Sequence, residues 1–341
     1  MSDGIKVKYV PEDFIVRESA AVRLAPPDSA EHRLYLLRKR GYTTFQAVRW
    51  ISESLGIPES QVGYCGLKDE DGLTEQVISV PSDADDRMPG AQRTAVDGNR
   101  WMRCLPYGES AELLQLGQLE GNSFKIVLRN LERRCVEQGP LAAKKLHFYF
   151  LNYFDTQRFG VPGGPKVAHL VGGALLAERW AQARELLASS GSGEATAARD
   201  WTGADADFFT HLDGRVTSFF LAAHASHQWN RTLAEQVKKY RSDVREIEVE
   251  GVEFTYANGV GDCVGILAAL HEIPITRYSM QDGVVRERQS VRASVVQTVV
   301  EIADRRPDEH FTGRMQAELS FFLPSGSYAT AAVRQLTTLM S

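Results

Sequence analysis

Along residues 122–130, NSFKIVLRN, apolar Phe124, Ile126 and Leu128 alternate with polar neighbours, the period-two spacing of a strand buried on one face. The same spacing predicts strands around Val22, from Arg33 in RLYLL, through EQVISV at 75–80 and from Ala317 in AELSFFLP. Between the first of these, Thr43 and Gln46 form a capping box ahead of Val48, Ile51 and Leu55, and Gly56 stops the run, which predicts a helix. After Gly160 the pattern changes. VPGGPK reads as a loop, Leu175, Leu176, Ala177, Trp180 and Leu186 recur at helical spacing up to a break at SSGSG, and a long helical pattern runs over 215–241. Strand-like pieces follow at 249–256, and a last helix starts at Ala329. The order of elements predicts an α+β fold with a mixed helical segment inserted in its middle.

Composition narrows the class. With 341 residues, 43% hydrophobic and 24% charged, the chain has material for two domains of an ordinary globular protein. No apolar run is long enough to span a membrane, and the start, MSDGIKVKYVPEDF, is charged where a secretion signal is apolar, so a cytoplasmic protein is expected. Cys65, Cys104, Cys135 and Cys263 stand far apart, without the close pairs of zinc or redox motifs, and read as reduced and mostly buried. A formal net charge of −5 argues against bulk electrostatic adhesion to nucleic acid. Local basic clusters remain at Arg38, Lys39 and Arg40, at Arg133 and Arg134, at Lys144 and Lys145, and at Lys238, Lys239 and Arg241.

Two stretches carry candidate chemistry. In VGYCGLKDEDGLTEQVISV, residues 62–80, three carboxylates at Asp69, Glu70 and Asp71 crowd one corner before Gly72. A polar hairpin corner explains them by turn geometry alone, yet Thr74 and Gln76 follow with groups able to hold a carboxylate or a planar ligand. In NYFDTQRFG, residues 152–160, an amide, two aromatics and a guanidinium share one loop, a set suited to stacking on a flat heterocycle and reading its edge. A helix end packed on the core, with Phe159 buried and Gly160 as the cap, is the plain alternative. His224 and His227 lie three apart on a helical pattern, a spacing able to share a metal, but without a third ligand in register they read as helix-face histidines and no metal is expected. GSGEA at Gly191 lacks the lysine and hydroxyl of a phosphate loop.

Taken together, these segments resemble the TruD family of pseudouridine synthases. The resemblance rests on PEDFIVRE from Pro11 with Lys8 upstream, GYCGLKD from Gly63 with Thr74 and Gln76, EGNSFKIVLRN from Glu120, NYFDTQRFG, and FFLPSGSYATAAVRQL from Phe321, in the family's order. It implies a catalytic α+β domain with a mixed sheet over residues 1–165 and 305–341, interrupted by an inserted α+β TRUD-type domain over 166–304. It implies isomerisation of uridine to pseudouridine without a cofactor. Asp69 matches the family's catalytic aspartate and Lys8 a basic residue able to keep it ionised. Asn152 and Phe154 match the uracil pocket, with Phe14, Thr74, Gln76, Arg158 and Tyr328 as further substrate-site residues. Tyr328 stands where the family has phenylalanine.

Glu70, Asp71 and Gly72 depart from the family, which continues from the aspartate with a basic residue and an alanine. Acidic side chains there repel a polyanion. The acidic corner and low pI favour a free uridine nucleotide such as the monophosphate, whereas the insertion and the basic clusters favour RNA of tRNA type. A non-catalytic RNA-binding module is disfavoured, because Asp69, Asn152 and Phe154 are all present.

Overall fold

The computed structural model describes residues 4–68, 70, 72–84, 92–94, 98–240, 243–281 and 283–340. Its strands are β1 Phe14–Ala20, β2 His32–Arg40, β3 Gly63–Tyr64, β4 Leu73–Pro81, β5 Gln92–Thr94, β6 Trp101–Ser110, β7 Leu119–Leu131, β8 Lys145–Leu151, β9 Val244–Val249, β10 Val252–Ala257, β11 Glu272–Gln281, β12 Val284–Ala293, β13 Val295–Pro307 and β14 Met315–Pro324. Its helices are α1 Thr44–Leu55, α2 Arg133–Glu137, α3 Ala168–Leu176, α4 Trp180–Ala188, α5 Ala195–Asp200, α6 Asp205–His211, α7 Gly214–Tyr240, α8 Val260–Ala269 and α9 Ala329–Thr338. None among the described residues is long and apolar enough to cross a membrane.

The expected α+β architecture is present. A sheet runs in the order β5-β6-β2-β4-β1-β7-β14-β13-β8, with β3 pairing β4 off that path. It is mixed, since β1 runs parallel to β4 and antiparallel to β7. The alternation read at 122–130 is realised in β7, where Phe124, Ile126 and Leu128 are all buried. Helix α1 matches its sequence reading: the Thr43 hydroxyl accepts from Gln46 N–H, the Gln46 amide oxygen accepts from Thr43 N–H, and Gly56 ends the helix in the left-handed region. Its buried face of Ala47, Val48, Ile51 and Leu55 packs with Tyr35, Leu37 and Ile78 of β2 and β4.

Other expectations need correcting. The strand placed around Val22 is β1, several residues earlier, because its ladder to β7 begins at Phe14 and Val22 N–H already donates to Ala20 C=O in a turn. The helical pattern through Leu175–Leu186 is two helices, α3 and α4, parted where Glu178 takes a positive φ of 53°. Arg241, the end of the predicted long helix, lies outside the described residues. Strands β6, β11, β12 and β13 and helix α8 had no counterpart in the sequence reading. The cysteines are free as expected, with Cys135 partly exposed and the others buried.

By contacts the chain divides into two compact units, one of Ser2–His147 with Thr298–Gly326, the other of Phe148–Gln297 with Ser327–Ser341. The chain passes between them within β8, within β13 and between β14 and α9. These cuts fall elsewhere than the 165/166 and 304/305 boundaries expected from sequence.

In the second unit α3 packs on α7, and the histidines of that contact cluster. His169 stacks on His227 with ring centroids 4.1 Å apart, and Phe159 meets both rings edge-on. His224 Nδ1 lies 3.2 Å from His169 C=O. Parallel rings do not converge nitrogens on one ion, and no metal-binding group of side chains occurs among the described residues. Burial pushes the His169 imidazole down to about 4, with like-charge repulsion from His227 and His224 adding to it. In the unfolded chain it protonates near its ordinary 6.5. Between those values the unfolded state binds the extra proton, so stability is intact above pH 6.5 and lost as pH falls toward 4. The melting temperature is expected to drop over that interval, and His169→Phe to flatten the drop. A flat native profile would contradict this account.

Candidate active site

The acidic corner is built from buried polar groups on both sides of Asp69, which itself lies outside the described residues, as does Asp71. Before it, Lys68 N–H donates to the Thr44 hydroxyl (2.8 Å), and Lys68 C=O accepts from the Lys39 ammonium (3.1 Å). Lys39 also donates to Tyr42 C=O (2.7 Å) and is 1% exposed. The Gln76 amide donates to Gly66 C=O (3.0 Å) and accepts from the Thr44 hydroxyl (3.0 Å). After it, Glu70 C=O accepts from Gly41 N–H (3.1 Å). Gly72 has φ +96°, and a Cβ there would meet Phe14 C=O at 2.3 Å, so both conformation and space demand glycine. Helix α1, strand β2 and strand β4 therefore grip the corner from three directions.

The side chain of Lys68 turns away from this network to form a buried ion pair with Glu18, in which Lys68 is 6% and Glu18 0% exposed. Burial pushes the Glu18 carboxyl above its ordinary range while the Lys68 ammonium pulls it back. Burial also drives the neighbouring Cys65 thiol up to about 11, with Glu18 adding to the effect, so that cysteine is no nucleophile at neutral pH. Gly66 leaves the room, since a Cβ would sit 2.8 Å from both the Glu18 and Lys68 charged atoms.

Lys8 and Phe14 reach the same neighbourhood. Lys8 Nζ lies 4.3 Å from the centroid of the Phe14 ring, itself buried edge-on against Phe124. An open groove of about 810 Å³ is lined by Lys8, Arg40 and Arg100 together with Glu70 and Gly72. Of the two residues expected to support the corner, Gln76 is fully engaged. Thr74 is buried with its hydroxyl unpartnered among the described residues.

The second constellation lies in the other unit, and its centre is a residue that the sequence reading did not single out. Arg292 of β12 donates twice to Asn152 C=O (3.1 and 2.7 Å) and once to its side-chain oxygen (2.8 Å). Its guanidinium lies over the Phe154 ring, 3.9 Å from the centroid. Trp229 and Tyr328 meet Phe154 edge-on at 5.7 and 6.2 Å, leaving that ring 5% exposed. The Asn230 side chain accepts from Phe154 N–H (2.9 Å) and donates to Phe154 C=O (2.8 Å), replacing a strand partner. Asn152 Nδ2 donates to Ala293 C=O (3.0 Å). Burial lowers the Arg292 guanidinium to about 10, with Tyr328 opposing and Arg277 and Arg158 reinforcing that shift. Arg158 itself donates to the Ser226 hydroxyl at 3.3 Å. In the loop 152–160 Phe159 is buried in the core, with Phe159 rather than Gly160 capping the short turn before it, while Asn152 and Phe154 contact the Arg292 guanidinium. An alternation of arginines in VRERQSVRA was the signal that could have drawn attention to β12.

The basic clusters noted in the sequence behave differently from expectation. Arg38 pairs with Glu75, Arg40 with Glu12, Arg133 with Glu137, Arg134 with Glu132, Lys145 with Glu301 and Lys238 with Glu246, and Lys39 is buried on backbone carbonyls. Most of that positive charge is already neutralised.

The family model described as tRNA pseudouridine synthase D (TruD) matches residues 2–208. The chain belongs to this family. Among relatives, a tRNA pseudouridine synthase D of Thermus thermophilus is 26% identical over 335 residues, 98% of this chain and 88% of that protein. The probable tRNA pseudouridine synthase D of Thermococcus gammatolerans is 32% identical over 210 residues, 60% of this chain but only 48% of that protein's length. A crystal structure of the putative TruD of Methanosarcina mazei superposes with TM-score 0.60 over 99% of this chain and 95% of its own, at 20% identity, a likeness of fold. The matched segment 2–208 includes both the clamped corner and the Asn152–Phe154 loop of this TruD chain.

Proposed function

We propose that this TruD-family chain isomerises uridine to pseudouridine in RNA, tRNA above all, with Asp69 as the reacting carboxylate. The N1–C1′ glycosidic bond breaks, the uracil turns, C5 bonds to C1′ and the C5 hydrogen leaves as a proton to solvent while N1 gains one. Atoms and electrons balance within the nucleoside, so no cofactor takes part. Family membership across both constellations carries the reading. Lys8, in the groove beside Glu70 and Gly72, is the cation that keeps Asp69 ionised. Phe14 seats Lys8, and Gln76 and Thr74 support the corner. Asn152, Phe154 and Tyr328 receive the uracil of a nucleotide extruded from its stack, with Arg158 a substrate-site residue beside them. Residues 166–304 are the family's inserted domain.

The acidic departure at Glu70 does not stand against RNA by itself, because Lys8 and Arg100 share its groove. Release of tritium from C5-labelled uridine tests the reading, with unfractionated tRNA and uridine monophosphate offered separately. Release from tRNA is the expected result. Release from the monophosphate alone would transfer the reaction to a free nucleotide, and silence on both would sink the proposal.

A further inference from the structure

Strands β11 and β12 form a two-stranded antiparallel sheet in which Arg277 stands directly opposite Arg288. Like charges facing one another across a ladder destabilise it, so a free-standing hairpin has no reason to keep them. Residues alternate faces along a strand, which places Arg277 and Arg288 on the same face as Ile273, Ile275 and Arg292, all three of them buried. Helix α7 lies along that face: Trp229 donates to Ile273 C=O (3.3 Å) at one end and the Ser218 hydroxyl accepts from Met280 N–H (2.8 Å) at the other. Arg158 is held on the intervening stretch of α7, hydrogen-bonded to Ser226 and with its guanidinium 5.5 Å from the Phe219 ring.

Arg277 and Arg288 therefore face the side of the hairpin along which α7 holds Arg158; Arg158 is half-buried, Arg277 and Arg288 are exposed and Arg292 on the same face is buried. No carboxylate pairs with Arg158, Arg277 or Arg288 among the described residues, in a chain whose other basic clusters are mostly paired. Burial, then Arg158 and Arg288, lower the proton affinity of Arg277, with Tyr328 alone opposing, so these charges are felt mutually.

We propose that Arg158, Arg277 and Arg288 form an anion site, on the hairpin face that also carries Arg292, that takes a phosphate group of the nucleotide substrate. Planar guanidinium forks match a phosphate's oxygens, and a bound dianion or strand phosphate removes the repulsion between facing arginines. The assignment of this phosphate to substrate rests on the function proposed above; the anion site itself rests on geometry alone.

The test measures tRNA affinity by filter binding from about 50 to 200 mM salt for the native chain, Arg277→Gln/Arg288→Gln and the paired-cluster control Arg133→Gln/Arg134→Gln. All four positions are solvent-accessible, and thermal melts verify folding. The first variant is expected to weaken binding and to lower the slope of log affinity against log salt by about one, with the control unchanged. KM for tRNA should rise at constant kcat. A matching rise in KM for uridine monophosphate would place the target nucleotide's own phosphate in the site, and a rise for tRNA alone a neighbouring phosphate of the strand. An unchanged slope and affinity, or equal losses in the control, would overturn the anion site. A slope change in a protein that releases no tritium would uphold the site and reject the isomerase reading.

Discussion

Asp69→Asn is expected to abolish C5-tritium release from tRNA, a loss of at least about a hundredfold, while tRNA binding and the melting temperature stay as in the native chain. Asparagine keeps the size of the side chain and removes only its charge and basicity. Its described neighbours are held without that charge: Thr44 and Lys39 hold Lys68 on one side, and Gly41 holds Glu70 on the other. With those neighbours held, loss of activity with binding and melting temperature intact reads as loss of chemistry. Substantial release from the variant would remove Asp69 from the reaction. Loss of binding together with activity would instead mark it as a structural residue.

The largest stability effect is expected at Arg129. Its guanidinium donates to both oxygens of Asp13 (2.9 and 2.8 Å), to Asp308 (3.4 Å), to Gln316 (2.6 Å) and to Glu309 (3.1 Å). Asp13 also accepts from Val10 N–H (3.1 Å), which fixes the turn leading into Phe14. Asp308 accepts from Asn130 and His310 N–H groups at 2.8 and 2.9 Å. Burial raises the Asp308 carboxyl, but these donors and Arg129 outweigh it and hold it below its ordinary range. Arg129→Met leaves two buried carboxylates without a cation, a defect that costs about 3–5 kcal/mol. Urea unfolding should show that loss, and Arg129→Lys only partial recovery, since one ammonium cannot span the acceptors of a planar fork. A loss below about 1 kcal/mol would mean the network is no more than a surface pair. Because Asp308 is depressed, its share of the stability is present above the unfolded carboxylate range and disappears as the solution is acidified through its folded value.

Much of the catalytic half was legible because its information is local. The Thr43–Gln46 box, the period-two run in β7 and the glycine after the acidic corner each express a constraint within a few residues, and the structure realises all of them. The segments FIVRESA and ALLAERW were harder. Whether the first strand begins at Phe14 or near Val22 is set by its register against β4 and β7, and the break between α3 and α4 by one residue in the left-handed region.

The sequence alone determined the kind of protein: an α+β chain of the TruD family. Only tertiary structure decided which charges are available. Arg38, Arg40, Arg133 and Arg134 look cationic in the chain but meet carboxylates in space, and Lys39 is engaged by buried carbonyls. Arg292, Arg277 and Arg288 look like ordinary strand arginines, yet pairing in β11–β12 sets them on one face of the hairpin and lays Arg292 over the Phe154 ring. The physical reason is range. Hydrophobic period and turn chemistry act between near neighbours in sequence, whereas the fate of a charge depends on whichever opposite or like charge the fold places within a few ångströms.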